Sequence, residues 1–203
     1  VTTAGGEPAT LSPRIGPSVP QTHGAVASAV GRLMMRIRGW AFEGAVPDVS
    51  KMVLIVAPHT SNWDFLTGLW AKLALRIDVS FLGKHTLFWW PLGAFLRSIG
   101  GIPIDRARAS GVAEDAVRAL RESERMVLVI APEGTRRKTE RWKSGFYRIA
   151  VGAGVPILLV AFDYGRRVVR LGPLFHPTGD YERDLAEIRS HYQAGMAFRP
   201  ERY

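Results

Sequence analysis

The chain has 203 residues, 47% of them hydrophobic and 22% charged, an ordinary globular composition with enough chain for one sizeable core. Its formal net charge of +9 and sequence pI near 10.5 favour an anionic partner: nucleic acid, an anionic membrane surface or a phosphorylated substrate. The absence of cysteine excludes disulfides, a thiolate zinc site and a cysteine nucleophile, and no run reaches the ~18 consecutive apolar residues expected of a membrane-spanning helix.

Residues 1–24 are rich in Pro, Gly, Ser and Thr and read as a flexible tail outside the core. In the following segment, 25–46, Val26, Val30, Leu33, Met34, Ile37, Trp40 and Ala41 fall on one helical stripe, with Arg32, Arg36 and Arg38 around it. Such a helix can dock on its own core or lie on an anionic lipid surface. From residue 47 to 203 the pattern alternates. Apolar, β-branched runs at 52–57, 79–82, 126–131 and 155–162 read as strands buried on both sides. Helical stretches lie at 64–76, 109–124 and 181–194. The segment 160–172 reads as a late hairpin around Asp163–Arg166. The expectation is a single α/β domain with a mostly parallel, mixed central sheet flanked by helices, plus an N-terminal amphipathic helix.

Two of the strands share a phrase. MVLIVAP at 52–58 is followed by His59, and MVLVIAP at 126–132 by Glu133. Ligands of open α/β sheets bind beyond the carboxyl ends of the strands, so the residues at the tips matter most. Those tips carry His59, Lys84, Asp105 with Arg106, and Glu133 with Arg136. That inventory suits binding a phosphate and moving a proton. His59 and Asp64 are five apart, about 140° around a continuous helix. With Pro58 and Thr60-Ser61-Asn62 forming a turn, Asp64 falls in the first helical turn and can reach back to the imidazole, a base and its orienter with no protein nucleophile beside them. An isolated His and Asp at this spacing also serve as ordinary helix caps. In EGTR, 133–136, Gly134 allows close ligand approach, Thr135 can cap or donate, and Arg136 can grip a phosphate. The run RRKTERWK, 136–143, is basic and lies at the same strand tip.

Four blocks in order resemble the glycerolipid acyltransferase family, the group that includes 1-acylglycerol-3-phosphate acyltransferase. They are HTSNWD at 59–64, KHTLFWWPLGAFLRSIGGIPIDR at 84–106, EGTR at 133–136 and GVPILLV at 154–160. The resemblance implies an acyltransferase in which His59, oriented by Asp64, deprotonates an acceptor hydroxyl that attacks an acyl thioester directly. It implies that Lys84, Arg106 and Arg136 bind the acceptor's phosphate, with Glu133, Gly134 and Thr135 shaping the site around it. It further implies a lysophospholipid acceptor, acyl-CoA or acyl-ACP as co-substrate, no bound cofactor or metal, no nucleic acid, and peripheral or monotopic contact with an anionic membrane on its cytoplasmic side. The sequence departs from the family pattern at Pro58, at Ala131 and in the basic run after Arg136. These departures leave open another lipid, a polar-metabolite alcohol or an amine as acceptor. A thioester hydrolase using the same pair, or a basic nucleic-acid-binding protein, are competing readings; the chain lacks a G-x-S-x-G elbow and any nucleic-acid motif.

Overall fold

The computed structural model describes residues 9–22, 24–104 and 109–203. Seven strands form one sheet: β1 (Ala41–Gly44), β2 (Lys51–Ala57), β3 (Ser80–Lys84), β4 (Gly101–Ile104), β5 (Met126–Ile130), β6 (Ile157–Asp163) and β7 (Val168–Phe175). Their order is β1-β7-β6-β2-β5-β3-β4. Every pairing is parallel except β6 with β7, the expected late hairpin. The helices are α1 (Ala25–Ile37), α2 (Trp63–Leu75), α3 (Leu92–Ser98), α4 (Ala109–Glu122), α5 (Gly145–Ala153) and α6 (Tyr181–Ser190).

Alternation along the central strands sends side chains into two cores. Val53, Ile55 and Ala57 of β2 join Leu128 of β5 and Ile157, Leu159 and Ala161 of β6 beneath α4, α5 and α6. Met52, Leu54 and Val56 join Val127, Leu158, Val160 and Phe162 beneath α1 and α2. The strands are therefore buried on both faces, which is why they read as continuous apolar runs.

The two strands that share a phrase are neighbours, with β2 between β5 and β6. Their register is offset by one from the sequence match, since Met52 pairs with Val127 and Ile55 with Ile130.

The N-terminal region differs from expectation in two respects. Residues 9–22 do not hang free. Thr10 bridges to Phe42, Ile15 to Val46 and Gln21 to Ile77, and Val19 is buried in the α1–α2 core. A Pro/Gly-rich composition disfavours helix and strand but does not prevent docking on a sheet edge. The apolar stripe also does not run on to Ala41. Gly39, at φ +68°, ends the helix; its N–H donates to Arg36 O at 3.0 Å and that of Trp40 to Met35 O at 2.8 Å, a left-handed C-terminal cap suited to glycine. Trp40 then turns into the core and Ala41 opens β1.

Most of α1's stripe faces outward. Val26 is 79% exposed and Ile37 68%, with Val30 and Leu33 also exposed, whereas the small Ser28 and Gly31 are buried against α2. At the C-terminal end of α1 the Arg38 guanidinium lies 4.7 Å from the Trp63 ring and 5.3 Å from that of Trp70. Among the described residues no helix is long and apolar enough to cross a membrane.

Candidate active site

Strand β2 ends at Ala57, and the turn Pro58–Asn62 carries the chain into α2. Asp64 lies in the first turn of that helix and is buried. Its Oδ2 is 3.1 Å from His59 Nδ1 and accepts the Ser61 N–H at 2.8 Å. Its Oδ1 accepts the Tyr164 hydroxyl at 2.8 Å. Three donors thus converge on one carboxylate. An acceptor-only partner requires the imidazole proton on Nδ1, so Nε2 carries the lone pair. Among the described residues, Nε2 has no hydrogen-bond partner, and His59 lines a cavity of about 1240 Å³. A base needs this arrangement: one nitrogen fixed, the other open to substrate.

Tyr164, beyond the end of β6, was not legible as a site residue. Its single proton goes to Asp64, so the Thr67 hydroxyl 3.3 Å away donates to it. Burial, with the Asp64 charge alongside, pushes the Tyr164 hydroxyl well above its ordinary range and keeps it a donor. Its ring packs edge-on against Trp40 at 4.9 Å and Phe198 at 5.1 Å. The only sequence signal was a tyrosine just after a strand in the same sheet.

Glu133 touches the histidine from the other side. Both carboxyl oxygens accept the His59 backbone N–H, at 3.1 and 2.8 Å. Glu133 is 5% exposed and does not line the cavity. The carboxyl lies behind the His59 turn, and Gly134, Thr135 and Arg136 after it form the cavity wall. Burial pushes this carboxyl up to about 7; the His59 N–H opposes the rise and the Asp64 charge adds to it. The same turn is also held by Thr60, whose hydroxyl oxygen accepts the Arg199 N–H at 3.1 Å.

Lys84, Gly134, Thr135 and Arg136 line the same cavity as His59 and Asp64. Thr135 Oγ1 accepts the Arg137 N–H at 3.2 Å and so shapes the loop. Gly134 has φ +64°, and a Cβ there would lie 2.8 Å from Lys143 Cδ. The glycine therefore admits both a left-handed turn and the Lys143 stem across it. Lys143, whose N–H donates to Pro132 O at 2.8 Å, adds a cation to the cavity wall. It stood unremarked in the basic run. Arg106 and Asp105 lie outside the described residues.

The rest of the cavity is lined mostly by apolar side chains. It runs beneath α2 past Phe65, Leu69, Val56, Val129 and Phe162. Among the described residues no cluster of His, Asp and Glu could hold a metal ion.

Comparison of the chain with known proteins identifies a family. The model of the family described as Acyltransferase matches residues 42–163, from β1 to the end of β6. A 1-acyl-sn-glycerol-3-phosphate acyltransferase of Haemophilus influenzae is 28% identical over 151 residues, covering 70% of this chain and 61% of the relative. One from Escherichia coli K12 is 28% identical over 128 residues, covering 60% of this chain and 51% of the relative. The chain thus spans between half and two thirds of these relatives' length. The crystal structure of the 1-acyl-sn-glycerophosphate acyltransferase PlsC from Thermotoga maritima superposes with TM-score 0.60 at 21% identity, covering 82% of this chain and 75% of that one, a likeness of fold. With the family model spanning more than half of its length, the chain belongs to the acyltransferase family, the group its four motif blocks resemble.

Proposed function

We propose that the protein transfers an acyl group from a thioester, acyl-CoA or acyl-ACP, to the free hydroxyl of a 1-acylglycerol-3-phosphate. The observation that carries this reading is His59. Its Nδ1 is held by Asp64 at 3.1 Å, which leaves Nε2 for substrate in a cavity lined by Lys84, Arg136 and Lys143 and by many apolar side chains.

In this mechanism Lys84, Arg136 and Lys143, with Arg106, hold the acceptor's phosphate. The acceptor hydroxyl gives its proton to His59 Nε2 as its oxygen attacks the thioester carbonyl. When the tetrahedral intermediate collapses, the C–S bond breaks, the ester C–O bond remains, and the imidazolium returns the proton to the leaving thiolate. Asp64 stabilises the imidazolium between the two transfers, and no acyl-enzyme forms. The apolar tract beneath α2 suits an acyl chain. The outward stripe of α1 (Val26, Val30, Leu33, Ile37), flanked by Arg32 and Arg36, suits the surface of an anionic membrane.

Incubation with acyl-CoA and a panel of alcohols tests this reading. Free thiol should appear with lysophosphatidate, without background from a protein that contains no cysteine. His59→Ala should lower the rate roughly 10²–10⁴-fold. An unchanged rate in that variant would refute the mechanism, whereas turnover only with acceptors lacking phosphate would refute the acceptor.

A further inference from the structure

The segment between β3 and β4 carries a feature the mechanism does not use. Trp90 is 84% exposed and Trp89 60%, with Leu87 and Phe95 also exposed. Adjacent indoles this open to water cost hydrophobic free energy unless something covers them. The tip that presents them is braced. Phe88 N–H donates to His85 O at 3.0 Å, Gly93 N–H to Trp89 O at 2.5 Å and Phe95 N–H to Pro91 O at 3.2 Å. Phe88 turns inward against Gly83, with the Arg97 guanidinium 5.3 Å from its ring. The two tryptophans therefore stand out to solvent on a braced tip, and neither lines the cavity that holds His59.

Charge and position indicate what covers the tip. From residue 79 to 104 the chain has no Asp or Glu, while Lys84 and Arg97 are exposed cations. Leu87, at the base of the tip, also lines the cavity that holds His59. An indole suits the boundary of a bilayer, with its ring among acyl chains and its N–H at the head groups. We propose that Trp89 and Trp90 insert into an anionic phospholipid surface beside the cavity mouth, a membrane contact separate from α1, so that a lipid reaches the cavity along Leu87 without crossing bulk water. This extends the lipid reading of the site, yet the binding can be measured with neither donor nor acceptor present. Failure of acyl transfer and failure of this contact are therefore separate results.

The test uses the full chain, vesicles of phosphatidylglycerol or of phosphatidylcholine, and matched vesicles with brominated acyl chains. Wild-type protein should bind phosphatidylglycerol vesicles more tightly than phosphatidylcholine ones, and brominated chains should quench its tryptophan emission. Trp89→Ala/Trp90→Ala should bind at least roughly tenfold more weakly, as loss of two inserted indoles requires, and most of the quenching should vanish. Trp89→Phe/Trp90→Phe, apolar without the N–H, should bind with intermediate strength while also losing the quenching. Circular dichroism melting shows whether each variant is folded. Equal binding by the folded Ala variant and wild type would overturn the proposal. So would quenching undiminished by loss of both indoles, equal affinity for the two lipids, or sedimentation showing the indoles buried between two copies of the chain.

Discussion

Glu133→Gln isolates the electrostatic cost of the junction between the two similar strands. The carboxyl is raised from its ordinary 4.5 to about 7, mainly by burial. At about 1.36 kcal/mol per pH unit, that rise corresponds to about 3 kcal/mol. The stabilisation from a carboxyl raised in the fold is fully present below pH 4.5 and is lost as pH rises through about 7. Ionised Glu133 thus weakens the fold near neutrality even while it holds the His59 N–H. Glutamine keeps an oxygen to accept that N–H and cannot ionise. Urea unfolding of both proteins across this range gives a difference, variant minus wild type, in which unrelated titrations cancel. The difference should grow by about 3 kcal/mol from pH 4.5 to about pH 8. A flat difference would refute the account of Glu133 as a buried carboxyl held neutral. A difference that falls with pH would mean that the His59 N–H outweighs burial.

Two further outcomes follow from the site. Tyr164→Phe removes one of the donors to Asp64. Loss of this anchor lets Asp64 and the imidazole it orients drift, so kcat should fall about tenfold with KM little changed. A kcat within about twofold of wild type would reduce Tyr164 to packing. Lys143→Met keeps the stem over Gly134 and removes the charge. KM for a phosphate-bearing acceptor should rise about tenfold with kcat within about twofold, and equal effects on acceptors with and without phosphate would refute a role in phosphate binding.

The architecture was largely legible because strands buried on both faces leave unbroken apolar runs, as at Met52–Ala57 and Ile157–Phe162. Helix α3 was hidden inside a run that also holds two tryptophans and a proline, and α5 (Gly145–Ala153) has glycines at two of its nine positions. Strand β1 was hidden because Trp40 and Ala41 happen to continue the period of α1, and nothing local distinguishes a stripe that faces lipid from one that faces the core. His59 and Asp64 could be paired from spacing because the turn between them is short. Tyr164 lies 100 residues beyond Asp64, and only the pairing of β2 with β6 brings them together. The orientation of Glu133 was out of reach for a similar reason. Its position at a strand tip was visible, but that its carboxyl faces back onto the His59 N–H depends on the packing of β5 against β2.

The one-residue stagger between β2 and β5 gives the shared phrase a different meaning. Paired residues face the same side of a parallel sheet, so Met52 and Met126 face opposite sides despite matching in sequence. The phrases differ where they read Ile55-Val56 in one and Val129-Ile130 in the other. With the stagger, that inversion puts both isoleucines toward α4 and α5 and both valines toward the side beneath α2. The two segments are therefore not interchangeable parts. Exchanging Ile55 with Val56 would conserve composition, volume and hydropathy, yet it would move a methylene from a packed core onto the wall of the cavity. The order of two similar residues thus decides which side chain fills the core beneath α4 and α5 and which meets the cavity.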